Sequence, residues 1–247
     1  MGPLSARMVS SGEGKMQQRS VNYAKKLLGD GYDYSGFEIV SAVYDNLYEG
    51  FDLENDKKFI DKFHRGFSDR PSAKEALPTR TVPDYSTDAI LCALVDNLDE
   101  NMLSLIRYAH RISMAADSMI GVMLDEYIHE RLRPMGWACC WGNSLQGIDF
   151  CSSDGILLHV RNKSNTEVSS NDRNRIKNKV YKWFRLNAYT GKTKWEELNR
   201  IVGKEGLFSE DGFRDFAYNV TKKNPGCLYT GEDDIASFAS LIEEFRK

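Results

Sequence analysis

The segment GIDFCSSDGILLHVRNKSNTE, residues 147–167, carries an acid and three basic side chains on what reads as an apolar β-hairpin. Asp149 lies on the first arm, and His159, Arg161 and Lys163 alternate along the second. Alternate residues of a strand share one face of the sheet. The spacing therefore gathers ionisable side chains on one side of a strand whose other positions are apolar.

The turn between the two arms determines whether the acid shares that face. If residues 153–155 form a three-residue loop with Gly155 in the left-handed region, Asp149 lies opposite His159. A two-residue Asp-Gly turn would shift the pairing by one residue and place Asp149 on the other side. The predicted site thus depends on the three-residue loop.

An acid that faces a second ligand, with a cation two residues further along, suits metal-dependent cleavage of a phosphodiester. Asp149 would hold a hard divalent cation, and His159 and the Val160 carbonyl would complete the protein ligands. Arg161 would face the negative charge of the attacked phosphate. The alternative is an exposed strand on which Asp149 and Arg161 form a surface ion pair, worth about 0 to 1 kcal/mol.

A basic run follows the hairpin in a chain whose net charge is -3 at pH 7. Residues 161–185 hold eight basic side chains against two acidic ones, Glu167 and Asp172. The basic residues are Arg161, Lys163, Arg173, Arg175, Lys177, Lys179, Lys182 and Arg185. Serine, threonine and asparagine side chains, which bind phosphate oxygens and base edges, are interleaved with them. The run therefore predicts a nucleic-acid surface.

Helical periodicity surrounds this region on both sides. It predicts helices over residues 17–28, 36–48 and 56–66 and from residue 88, and then a long helical segment, residues 101–137, broken into two helices near His110–Ser113. Short β-prone runs follow as antiparallel strands, and helices return over residues 195–202 and 212–220 and at the carboxyl end. This order predicts an α+β (α/β) fold with its sheet in the second half.

The same pattern suggests a domain organisation. We expect residues 1–15 to be a flexible N-terminus, residues 16–110 a mainly helical region, and residues 111–247 the catalytic and DNA-binding region with C-terminal helices.

Cysteine usage and hydropathy indicate the compartment. The five cysteines are an odd number without a disulfide-framework spacing, which is typical of a reducing environment. The first residues lack the apolar core of a signal peptide, and no run is as long as a membrane span. We expect a cytoplasmic protein that is not a membrane protein.

The hairpin also resembles a known family. Together with ISMAADSMIGVMLDEYIHERLRPMGW before it, YKWFR after it and the earlier PSAKEALPTRTVPD, it is similar to the SinI family of type II restriction endonucleases, a branch of the PD-(D/E)XK nucleases. The likeness is strongest over residues 112–195 and weak over about the first seventy. It implies a central mixed β-sheet flanked by helices, and Mg²⁺-dependent cleavage of double-stranded DNA at a short palindrome with GG and CC at its ends.

The resemblance also implies roles for single residues. Asp149 matches the acid of the family, and Glu126 matches the position from which such folds send an extra acid. His159 stands at the family's glutamine and Arg161 at its lysine. The polar run after the strand matches Asn162, Asn165, Glu167, Ser169 and Ser170. With the basic run, the predicted DNA contacts are Lys163, Ser164, Asn165, Glu167, Ser169, Ser170, Asn171, Arg173, Arg175, Lys177, Lys179 and Lys182.

His159 and Arg161 depart from the family pattern in ways that matter for chemistry. Arginine keeps the charge of lysine but does not act as a base. Histidine suits transition metals better than Mg²⁺, which prefers oxygen ligands. We therefore expect that Lys163 can take over the role of the family's lysine. We also expect Mn²⁺ to substitute for Mg²⁺ or to be preferred.

Three functions follow from these residues. The leading one is a site-specific endonuclease, acting with a cognate DNA methyltransferase as genetic partner. It can be a homodimer that cuts both strands of a palindrome or a monomer that nicks each strand in turn. The alternatives are a sequence-specific DNA-binding protein of nuclease ancestry that no longer cleaves, and a nuclease that reads DNA structure, as resolvases and repair enzymes do.

Overall fold

The computed structural model describes residues 19–29, 36–48, 52–75, 84–164, 180–228 and 234–245. Within these ranges the helices are α1 (Arg19–Leu28), α2 (Phe37–Leu47), α3 (Leu53–Ser68), α4 (Ser86–Leu94), α5 (Glu100–Leu132), α6 (Trp195–Ile201), α7 (Glu210–Lys223) and α8 (Asp234–Phe245). The strands are β1 (Trp137–Cys139), β2 (Phe150–Ser152), β3 (Leu157–Lys163) and β4 (Val180–Leu186). The expected flexible N-terminus, residues 1–15, lies outside the described residues.

The predicted helices are present, but the predicted break near His110–Ser113 is wrong. Helix α5 runs without interruption from Glu100 to Leu132. Residues 110–113 contain neither proline nor glycine, and both His110 and Ser113 are exposed, so nothing there opposes helical hydrogen bonding. None of the helices in the described part of the chain is both long and apolar enough to cross a membrane.

The four strands form one mixed sheet in the order β1-β2-β3-β4. Strand β2 pairs antiparallel with β1 and with β3, as predicted, whereas β3 and β4 are parallel. The carboxyl ends of β3 and β4 therefore lie at the same edge of the sheet. The α+β architecture with a mixed sheet is confirmed.

The β2–β3 hairpin has the predicted register. Phe150 pairs with Leu158, and the Ser152 N–H donates to the Ile156 carbonyl at 2.9 Å. Gly155 has a φ of 81°, the left-handed conformation that the three-residue loop requires. The pairing ends at Phe150, and the N–H of the preceding Asp149 donates to the Leu158 carbonyl at 2.9 Å, which places the Asp149 side chain beside His159.

The chain forms two compact units. One consists of Met1–Asp69 with Leu124–Phe213, the other of Arg70–Met123 with Arg214–Lys247. The first unit contains the sheet and an aromatic cluster, in which the Tyr127 ring meets Trp195, Phe208 and Phe213 at centroid distances of 5.4 to 5.8 Å.

In the second unit polar contacts connect the helices and the segment before α4. Arg107 Nη1 pairs with Asp88 Oδ2 at 2.5 Å, which ties α5 to α4. Asn224 Nδ2 donates to the Pro71 carbonyl at 2.8 Å, which ties the end of α7 to residues 70–75.

A buried arginine joins the two parallel strands to the helices that follow them. Arg185 Nε donates to Asn162 Oδ1 at 2.9 Å, and its Nη1 donates to Glu210 Oε1 at 2.5 Å. Trp195 Nε1 donates to the other oxygen of Glu210 at 2.8 Å. The guanidinium also lies 5.0 Å from the centroid of the Phe213 ring. Arg185 therefore supports the fold and does not face solvent, in contrast to Lys163 and Lys182.

Two glycines allow α3 to contact the connection from β1 to β2, which leads into Asp149. A Cβ atom at Gly66 would lie 2.1 Å from the Gly142 nitrogen, and one at Gly142 would lie 2.1 Å from the Lys62 carbonyl oxygen. The two backbones therefore approach as closely as side-chain-free residues permit.

We predict that Arg185→Met lowers the free energy of unfolding by about 3 kcal/mol, because it leaves the partly buried Glu210 carboxylate without its cation. Lys182→Met, on the same strand but exposed, is the matched control and should change stability by no more than about 0.5 kcal/mol. Urea titration followed by circular dichroism measures both. Equal effects of the two changes would show that the Arg185 network does not stabilise the fold.

We predict that Gly66→Ala lowers the free energy of unfolding by about 2 kcal/mol or more, because the added methyl group displaces the backbone at Gly142. Gly121→Ala is the matched helical control: a Cβ atom there meets nothing within 4 Å, so helix propensity should stabilise the protein by about 1 kcal/mol at most. Urea titration followed by circular dichroism measures the stability of both variants. A Gly66→Ala variant as stable as the unaltered protein would contradict the close approach of the Gly66 and Gly142 backbones.

Candidate active site

Asp149 is fixed to β3 by main-chain and side-chain hydrogen bonds. Its N–H donates to the Leu158 carbonyl at 2.9 Å, and its Oδ2 accepts from the Val160 N–H at 2.7 Å. The carboxylate thus satisfies a strand N–H just before β2 begins at Phe150. A charged acceptor bound to a backbone donor is a strong and well-oriented hydrogen bond. The acid is therefore held in place before any ligand arrives.

His159 is packed against this acid. Its Nδ1 lies 2.8 Å from Asp149 Oδ2, and the residue is only 7% exposed. The angle at this contact is not that of a hydrogen bond, and Nδ1 has no hydrogen-bond partner among the described residues. A buried nitrogen without such a partner, beside a carboxylate oxygen, is a candidate ligand or neighbour of a bound cation.

Arg161 reaches back over the same two residues. Its Nη1 donates to the Val160 carbonyl at 3.1 Å and lies 3.9 Å from Asp149 Oδ2. The side chain is 61% exposed. The predicted grouping of Asp149, His159 and Arg161 is therefore present in the structure, with the first two residues largely buried and the arginine at the surface.

Asp125 on α5 is a further acid of this site, which the sequence did not single out. Burial raises the pKa of Asp125 well above its usual range, and the negative charge of Asp149 raises it further. Arg161 acts in the opposite direction. The carboxyl group of Asp125 therefore lies within electrostatic range of both Asp149 and Arg161.

The predicted Glu126 is the next residue along α5 and is 2% exposed. Successive residues of a helix point about 100° apart, so adjacent acids do not face the same place. The pKa of Asp125 responds to Asp149 and Arg161, and the pKa of the Cys139 thiol responds to both Asp125 and Glu126. The role of Glu126 therefore stays a prediction.

The donor set fits a divalent cation. The Asp149 carboxylate and the Val160 carbonyl offer oxygen ligands, which Mg²⁺ and related hard cations prefer. No group of three or more histidine, cysteine or acidic side chains with metal-binding spacing occurs among the described residues. A cation at this site would therefore depend on the main-chain oxygen of Val160 as well as on carboxylates.

A positively charged surface lies beside the site. Residues 161–164 and 180–194 contain six basic and no acidic residues, and two of the basic ones, Lys192 and Lys194, lie beyond the run recognised in the sequence. Lys163, Lys182 and Lys192 are exposed.

Among the other residues predicted to contact DNA, the structure describes Ser164. Ser164 Oγ accepts a hydrogen bond from the Ala188 N–H at 3.0 Å, so this hydroxyl has a structural role in the turn after β4. The remaining predicted contacts lie outside the described residues: Asn165, Glu167, Ser169, Ser170, Asn171, Arg173, Arg175, Lys177 and Lys179.

Comparison with known proteins identifies the relatives of this chain. The type II restriction enzyme SinI of Salmonella infantis is 34% identical over 169 residues, which are 66% of this chain and 73% of that enzyme. The type II restriction enzyme Eco47I of Escherichia coli is 33% identical over 172 residues, which are 68% of this chain and 74% of that enzyme. A model of the SinI restriction endonuclease family matches residues 40–222. The chain therefore belongs to the SinI restriction endonuclease family, whose members are endodeoxyribonucleases.

Proposed function

We propose that this protein cleaves double-stranded DNA at a short palindromic sequence, and that the site around Asp149 is its catalytic centre. Membership of the family supports the reaction class. The main support for this site is that the Asp149 carboxylate, the Val160 carbonyl and the Arg161 guanidinium lie close together beside β3. We further propose that the mixed sheet and its helices are a PD-(D/E)XK nuclease fold.

The cofactor of this proposal is Mg²⁺, with Mn²⁺ as its substitute. Asp149 and the Val160 carbonyl would hold the ion, with Asp125 as a further acid of the site and Glu126 acting through water. His159 would contact the ion or its neighbouring ligands. When bound, the cation supplies positive charge that stabilises the phosphate as it is attacked.

The side chains of the site have separate tasks. The Val160 N–H holds Asp149 in place, and the buried His159 packs against its carboxylate. Arg161 is always protonated, so it stabilises negative charge and does not remove a proton from water. Lys163, two residues further along the strand and exposed, can bring a second positive charge to the phosphate.

The charged surface supports duplex DNA as the substrate. Four exposed basic residues, Arg161, Lys163, Lys182 and Lys192, match the negative phosphates of the duplex. We propose that Lys163, Ser164 and Lys182, together with the predicted contacts between residues 165 and 179, bind the duplex. A recognition sequence with GG and CC at its ends is the proposal that follows from the family resemblance.

The biological setting is part of the same proposal. A restriction enzyme endangers the DNA of its own cell, so we propose a cytoplasmic protein accompanied by a cognate DNA methyltransferase. A homodimer is the simplest arrangement for cutting both strands of a palindrome, because its twofold axis matches that of the site.

The test is digestion of a plasmid of known sequence by purified protein with Mg²⁺ or Mn²⁺, followed by mapping of the ends. We expect fragments of defined length, and a rate at least about 100-fold lower for Asp149→Asn because a charged group at the reacting phosphate is lost. Asp154→Asn is the matched control: Asp154 is exposed on the loop of the same hairpin, and the change should leave cleavage intact.

The same digestion separates the two acids of α5. Asp125→Asn should slow cleavage more than Glu126→Gln, because Asp125 is the acid that interacts with Asp149 and Arg161. Circular dichroism must show that both variants fold. A larger loss in folded Glu126→Gln would assign the role to Glu126 instead.

The outcomes also separate the three functions. Defined fragments whose formation does not depend on Asp149 would place the catalytic centre elsewhere. Sequence-specific, salt-sensitive binding without cleavage would identify a DNA-binding protein of nuclease ancestry, a function that the arginine at the lysine position of the family motif favours. Cleavage of branched or mismatched DNA regardless of sequence would identify a structure-specific nuclease.

A further inference from the structure

We propose that Arg161 occupies the place of the cation in the metal-free enzyme and that a divalent cation must displace it to bind. The guanidinium of Arg161 donates to one of the oxygen ligands that we assign to the cation, the Val160 carbonyl, and forms a looser ion pair with the other, the Asp149 carboxylate. The inference rests on the proposed function, because it takes these oxygens as the cation's ligands.

The geometry makes the two occupants exclude each other. Arg161 Nη1 lies 3.1 Å from the Val160 oxygen and 3.9 Å from Asp149 Oδ2. A Mg²⁺ ion approaches its oxygen ligands to about 2.1 Å, and it would meet the positive guanidinium directed at the same oxygens. The two positive charges repel each other strongly at such short range. The arginine must therefore leave when the ion enters.

The oxygens are fixed, whereas the guanidinium is free to leave. Val160 is 4% exposed, and the Val160 N–H holds the Asp149 carboxylate. Arg161, in contrast, is 61% exposed on a long side chain. Exposed ion pairs of this kind are weak, so a divalent cation can displace the guanidinium without disturbing the strand.

The ion pair with Asp149 gives Arg161 a role before any cation binds. Its Nη1 lies 3.9 Å from Asp149 Oδ2, so the guanidinium partly offsets the negative charge of that carboxylate. Once the ion takes over this role, the guanidinium is released towards solvent, where the phosphate of a bound substrate would lie.

The test measures Mn²⁺ binding by titration calorimetry without DNA, at low ionic strength. The proteins are the unaltered chain, Arg161→Met, Lys163→Met and Asp149→Asn. We expect Arg161→Met to bind Mn²⁺ about 5-fold tighter, the gain from removing a weak competing ion pair. Lys163→Met removes the same charge two residues along the strand and should change the affinity less than about 2-fold.

A second readout is the rise in Tm caused by saturating Mn²⁺. Without metal, Arg161→Met should unfold at a lower temperature than the unaltered chain, because the Asp149 carboxylate has lost its ion pair with the guanidinium. Mn²⁺ should raise the Tm of Arg161→Met by more than it raises that of the unaltered chain.

The outcomes keep this inference distinct from the proposed function. If Asp149→Asn weakens Mn²⁺ binding but Arg161→Met binds as the unaltered chain does or more weakly, the site stands and the competition is refuted. An equal gain in Mn²⁺ affinity in Lys163→Met would show that the effect comes from the overall charge of the strand. That result would also refute the competition. If Asp149→Asn binds Mn²⁺ normally, the ion is elsewhere and the proposed site itself fails.

Discussion

The hydrogen bond from the Val160 N–H to Asp149 Oδ2 ties the acid to the strand that carries the other site residues. It forms where the hairpin register places Asp149 beside His159 and Val160, and that register depends on Gly155 adopting a φ of 81° in the three-residue loop. With a two-residue turn the acid would point to the other face of the sheet. The chemistry of the site thus rests on one local backbone conformation.

The surroundings of this hydrogen bond divide into rigid and adaptable parts. Val160 and His159 are buried, and Arg185 joins β3 and β4 to α7 through Asn162 and Glu210. These contacts fix the oxygens that would hold a cation. Arg161 follows four buried residues of the same strand yet is largely exposed. A strand can therefore present fixed ligands and a movable charge side by side.

The sequence predicted the features that local rules determine. Turn chemistry at residues 153–155 gave the register of the hairpin, and helical periodicity found the helices. The predicted break in α5 was wrong because polar residues at positions 110–113 suit the exposed face of a continuous helix as well as they suit a loop.

The features that the sequence did not reveal depend on partners distant in the chain. Arg185 reads as one more cation of the basic run until its contact with Glu210, 25 residues later, shows that it is buried. The choice between Asp125 and Glu126 depends on how α5 is rotated against the sheet, which periodicity alone does not fix to one residue. Long-range packing, rather than local propensity, determines such features.

The central claim is that Asp149 and the Val160 carbonyl hold the divalent cation that serves DNA cleavage. The most direct measurement is the anomalous scattering of Mn²⁺ in crystals of the protein bound to a DNA duplex. We predict a peak within about 2.5 Å of an Asp149 carboxylate oxygen and of the Val160 carbonyl oxygen. A peak at other ligands, with Arg161 still in contact with both of these groups, would contradict the claim.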